Sequence, residues 1–240
     1  MKLKLLFFCF LFTSGFNARS AEVPPYIQTK DGIIVYTDPL FTGTSKAVKL
    51  EVVADNIIRV IAASRKEIAS TQSLITVYTR KGDLLWDMVT DKETVTLQTK
   101  SLVARVDQKT GAVSFFDKNG KKILAEKSPE ARVEMPAVFE GKSSATLTQT
   151  FQSTDDDAWY GLGQHQSGIM NYKGQQVTFF QNNTEVAIPF LVSNKNYGIL
   201  WDNYSLTKVG DIRPVHPLSS FQLFSKKRRR RVVNRILFKQ

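Results

Sequence analysis

The groups best suited to chemistry lie between Trp159 and Tyr204. Gln181, Asn182, Asn183 and Thr184 form a polar knot directly behind Phe179 and Phe180. Amides donate and accept hydrogen bonds, and an aromatic ring offers an apolar plane. A pyranose, with its apolar face and hydroxyl rim, asks for that pairing, so the knot and the aromatics beside it are the candidate sugar-contacting stretch. The same letters also fit an Asn-rich turn crossing a buried β-core. Cleaving a glycosidic bond takes more: two carboxylates roughly 5 Å apart for retention, or up to about 9.5 Å for inversion. The acids on offer are Asp155, Asp156, Asp157, Glu185 and Asp202. Nothing in their spacing nominates a pair, and loop or strand-end solvation accounts for each. No residue is assigned a catalytic role.

Other chemistries find little support. The two histidines, His165 and His216, are far apart, and neither belongs to a metal-binding spacing. No nucleophile elbow, phosphate loop or dinucleotide fingerprint occurs. Gly161-Leu162-Gly163 lacks the third glycine and the following helix of a phosphate cradle, and reads as a tight bend carrying Trp159 and Tyr160 into the core. Asp155-Asp156-Asp157 could be a calcium loop, but three adjacent carboxylates cannot all face one ion, and a solvated turn is the better reading. No metal or cofactor is expected.

The elements that must position these groups are strands. Ile33–Tyr36, Ala47–Val53 (Val48, Leu50 and Val52 on one face) and Ile57–Ala62 alternate with period two. Residues 21–31 read as a polar, Pro-containing entry. Residues 63–91 are looser, with Leu84-Leu85-Trp86 as a cover segment. From Thr94 the pattern sharpens: Thr94–Thr99, Leu102–Asp107 and Ala112–Phe116 are strands. Asn119-Gly120 then makes a hairpin turn into Ile123-Leu124. Arg132–Phe139 pairs with Ala145–Phe151, and Ser219–Phe224 closes the series. No amphipathic helix is expected before residue 225. The expected architecture is an all-β antiparallel sandwich in one domain, residues 21–224.

Both ends differ from this body. Lys2 and Lys4 precede an apolar run, Leu5–Phe12, that is too short to span a bilayer, and Ala18-Arg19-Ser20 suits cleavage before Ala21. Residues 1–20 are therefore expected to be a secretory signal, the product to be secreted or periplasmic, and no segment to insert in a membrane. Cys9, the one cysteine, lies in that leader. The net charge of +11 is concentrated at the ends. Three basic residues lie in the leader and eight in 225–240, with no acid in either. Taking those from 33 leaves 22 lysines and arginines against 22 acids in the body. A neutral body is no phosphate-tracking surface, which argues against nucleic acid. The basic tail, residues 225–240, reads as non-native. Purine-rich glutamate and glycine codons read one base out of register become Arg and Lys codons, so a frameshift near Lys226 is expected.

Several segments in order resemble the N-terminal domain of glycoside hydrolase family 31, the α-glucosidases and α-xylosidases. They are Tyr160–His165 (YGLGQH), Thr178–Asn183 (TFFQNN), Ile188–Phe190 (IPF) and Tyr197–Asn203 (YGILWDN), with Ile57–Val60 and Val103–Glu126 upstream. The likeness covers about residues 26–224. It implies a galactose-mutarotase-like supersandwich packed on a (β/α)₈ barrel that carries a catalytic aspartate pair and retains configuration. One sandwich loop, here Phe179–Thr184, would bound the sugar site. Many α-glucosidases have Trp-Asn-x-Asp there. Phe180-Gln181-Asn182-Asn183 instead fits α-xylosidase-like members. A barrel needs about 250 residues, and none follow the sandwich. The resemblance thus implies a non-catalytic domain forming part of an α-glycosidase's substrate site, with an α-linked oligosaccharide and the missing barrel as partners. Two alternatives remain: a free-standing secreted carbohydrate-binding module, or an interaction protein using its basic tail.

Overall fold

The computed structural model describes residues 24–69, 72–77, 84–181, 183–210 and 235–239. The expected signal (1–20), the Ser219–Phe224 strand, His216, Asn182 and tail residues 225–234 lie outside them. The described residues are all β, in four antiparallel sheets. Among the described residues no helix is long and apolar enough to cross a membrane.

Two sheets make the first half. One runs in order β1 (Tyr26–Thr29), β2 (Gly32–Tyr36), β3 (Ala47–Ala54), β4 (Ile57–Ala63). The other meanders through β5 (Trp86–Thr90), β6 (Thr94–Thr99), β7 (Leu102–Asp107), β8 (Val113–Asp117) and β9 (Lys122–Ala125). Alternation decides which side chains meet. Val48, Leu50 and Val52 of β3 join Ile33 and Val35 of β2, and all are buried against Val95, Leu97, Ala104, Val106 and Val113. Each such side chain contributes roughly 1.5–3 kcal/mol by leaving water. Gly120, at φ 81°, turns β8 into β9 as the Asn-Gly pair requires. The polar entry also forms an edge strand, β1, and the loose stretch yields β5, which pairs with β6.

The second half holds β10 (Arg132–Phe139), β11 (Lys142–Gln152), β12 (Trp159–Gln164), β13 (Gln176–Phe179), β14 (Val186–Ser193), β15 (Gly198–Leu200), β16 (Thr207–Gly210) and β17 (Arg235–Lys239). Its sheets run β10-β11-β17-β16-β13 and β12-β14-β15. The end of the basic tail, β17, thus pairs between β11 and β16. Between these sheets lies a second core of Phe151, Trp159, Leu162, Tyr172, Val177, Leu191 and Val209.

One buried ion pair joins the halves. Arg132 Nη2 donates to Glu126 Oε1 and Oε2 at 2.5 and 2.6 Å, Nη1 to the Gly111 carbonyl at 3.0 Å, and Nε to Gln149 Oε1 at 3.1 Å. The Val113 amide donates to Glu126 Oε2 at 2.8 Å. Burial pushes the Glu126 carboxyl up, and the Arg132 charge works against that shift.

Candidate functional site

The loop from Phe180 to Glu185 leaves β13 and returns as β14. Val177 in the first strand and Leu191 in the second are buried in the second core, so both limbs are anchored. Phe180 is 61% exposed, and its amide donates to the Thr178 carbonyl at 2.9 Å. Gln181, Asn183 and Thr184 are exposed as well. Three of the four candidate residues (Phe180, Gln181 and Asn183) therefore stand together on the surface, and the fourth, Asn182, is outside the described residues. An exposed ring beside exposed amides is a surface that can stack on a sugar and hydrogen-bond its rim.

What holds the loop begins in β12. Gly161, Leu162 and Gly163 all have positive φ (95°, 65° and 103°), and the register of β12 on β14 shifts between the two glycines. This is a bulge within a strand. A Cβ on Gly163 would lie 1.9 Å from the Val186 carbonyl oxygen, and one on Gly161 2.6 Å from that of Phe190, so only glycine fits. The expected tight bend is real, but it delivers one aromatic inward and one outward. Trp159 is buried, while Tyr160 is 38% exposed. Leu162 turns into the core, and its carbonyl accepts from His165 Nε2 at 2.9 Å. Opposite the bulge lies Pro189, which has no N–H to donate and would break a regular central ladder. It falls between the register pairs Gly161↔Leu191 and Gly163↔Ala187, where the ladder is already interrupted.

His165 Nδ1 faces Glu185 Oε2 at 3.6 Å, and the imidazole meets Tyr172 edge-on at 6.3 Å between centroids. An open hollow of about 380 Å³ lies against β12, with Tyr160, Gly161, Gly163, Ile169, Met170 and Tyr172 among its lining. Phe180, Gln181 and Asn183 do not line it.

Asp156, Asp157 and Asp202 have structural work. Lys195 Nζ reaches Asp156 Oδ1 at 3.0 Å and Asp157 Oδ1 at 2.7 Å, and Thr154 Oγ1 also accepts from it. The ammonium thus holds the position a cation would take in the acidic turn. Among the described residues no group of three or more His, Cys, Asp or Glu is gathered for a metal ion. The Thr154 hydroxyl and Lys195 hold the Asp156 carboxyl down at about 2. Asp202 accepts from Arg59 Nη2 at 3.1 Å and from the Tyr204 hydroxyl at 2.8 Å. The Leu74 amide donates to that same hydroxyl at 2.5 Å.

One face of the β12-β14-β15 sheet is apolar and open. Val186, Ile188, Phe190 and Val192 alternate along β14, each between 39% and 49% exposed. Tyr160 pairs with Val192 and Leu200 with Phe190, so neighbouring strands extend the patch.

Residues 47–209, more than half of the chain, match the glycosyl hydrolase 31 N-terminal galactose mutarotase-like domain. The chain belongs to this family. It is 30% identical over 171 residues to an α-xylosidase of Saccharolobus solfataricus, a stretch covering 68% of this chain and 23% of that protein. The crystal structure of the GH31 α-xylosidase from Xanthomonas citri is similar at 41% identity and a TM-score of 0.71, covering 80% of this chain and 20% of that one. A GH31 α-xylosidase from a soil metagenome, complexed with xylose, shares the fold at 23% identity and a TM-score of 0.62, over 77% of this chain and 29% of its own. The chain therefore spans less than a third of the length of each of these relatives.

Proposed function

We propose that this domain is a non-catalytic, substrate-site-forming part of a retaining α-glycosidase of the α-xylosidase type, exported to the periplasm or beyond. The observation that carries the reading is the exposed loop of Phe180, Gln181 and Asn183, held between two strands anchored by buried Val177 and Leu191 within the matched family region. Likeness to α-xylosidases supports xylose as the sugar. The open apolar face around Phe190 suits packing against the rest of a longer protein, because contiguous apolar surface of this kind marks an interaction site.

The test is to incubate the 240-residue chain with an aryl α-xyloside and to titrate it calorimetrically with xylose. The expected outcome is no release of xylose, together with weak saturable heat that Asn183→Ala and Phe180→Ala reduce. Release of sugar would overturn the non-catalytic reading. Heat unchanged in both variants would overturn the assignment of the loop.

A further inference from the structure

We propose that His165 is a positioning residue for the sugar-facing loop: seated on the Leu162 carbonyl, its imidazole fixes Glu185 and so sets the returning limb of the loop. The inference rests on the reading of that loop as the sugar site and adds how the loop is held.

Three observations converge. The first is placement. Gln164 and Val186 form the last register pair of β12 on β14, so His165 and Glu185 flank that ladder's open end, where the loop re-enters the sheet. The second is rigidity. The His165 side chain is only 6% exposed, against 31% for Glu185. It is seated by the Leu162 carbonyl, which the positive-φ bulge turns toward it, and by the edge of buried Tyr172. Tyr172 is itself tied down, its amide donating to the Trp159 carbonyl at 2.8 Å. The third is donor logic. A carbonyl only accepts, so Nε2 must carry a proton. Nδ1 faces a carboxylate, which when ionised also only accepts. At 3.6 Å the two form an ion pair when Nδ1 is protonated too, and place a lone pair against an anion when it is not. The titratable groups facing the ring are Glu185, from the approach to β14, and Tyr172, from the loop after β12. The clamp is the contact of Nδ1 with Glu185 at 3.6 Å, held from behind by the Leu162 carbonyl.

The experiment needs no sugar. Amide hydrogen exchange is followed on the 240-residue chain and its variants at a single pH. His165→Ala and Glu185→Gln should each speed exchange of the amides of Gln181, Asn183, Thr184 and Glu185 by about tenfold, leaving Trp159 and Leu191 unchanged. His165→Asn returns an amide donor near the Nδ1 position and should recover part of the protection. Loop exchange that is equal in wild type and variants, or core amides that accelerate along with the loop, would overturn the proposal. The sugar reading fails separately: a flat xylose titration with the loop protection intact counts against the sugar site and for the clamp.

Discussion

At the residue scale, two ion clusters define how the chain responds to pH. Asp156 is held down at about 2 by the Thr154 hydroxyl and Lys195. Asp157 is also lowered, because Lys195, the Thr154 amide and Ser153 outweigh the upward push of burial. A carboxyl held below its ordinary value lends stability that is complete above about pH 4 and is lost as pH falls toward about 2. Lys195→Met should therefore flatten the dependence of melting temperature on pH across that window. A slope identical to wild type would show the clamp to be inert. Glu126 has the opposite sign, since burial raises it. Arg132→Ala strands a buried carboxylate and should cost roughly 3–5 kcal/mol at neutral pH. The deficit should shrink as pH falls toward the ordinary carboxylate range, because Glu126, raised by burial, takes up its proton already above that range and its burial becomes cheaper, and chemical denaturation at two pH values checks both halves. None of these partnerships could be read from the sequence. Arg132 and Glu126 are six apart, Lys195 and Asp156 thirty-nine apart, and only the register of paired strands brings them together. That Phe180, Gln181 and Asn183 stand in one exposed loop was legible, because a run of amides after two aromatics is unusual wherever it is placed.

At the scale of elements, the bulge in β12 governs the site. Gly163→Ala places a methyl 1.9 Å from the Val186 carbonyl oxygen at φ 103°, whereas Gly120→Ala meets nothing within 4 Å at φ 81°. The second change should cost about 1 kcal/mol, the ordinary penalty of a left-handed residue. The first should cost more and should shift the exchange of the Phe180–Glu185 loop, with thermal unfolding and exchange as the two measurements. Equal penalties would mean that the strands separate freely at the bulge. Most strands were legible from period-two alternation, as with Val48, Leu50 and Val52 of β3. Two were not. In β1 only the flanking residues Tyr26 and Thr29 are half-buried, and in β5 the exposed Val89 blurs the alternation. Gly161-Leu162-Gly163 and Pro189 were both visible as letters. That they are two sides of one interruption became visible only with the β12-β14 pairing.

At the scale of the whole molecule, the described residues form packed sheets and leave the apolar face of β14 open. Ile188→Thr with Val192→Thr should lower self-association at high concentration, seen by light scattering, while stability moves by no more than about 0.5 kcal/mol per surface position. The most direct measurement follows backbone amide resonances of the 240-residue chain during titration with xylose. If the domain forms part of a sugar site, the resonances of Phe180, Gln181, Asn183 and Thr184 shift together and saturate, and Asn183→Ala abolishes the change. Shifts confined to another surface, or none up to saturating sugar, would contradict the account.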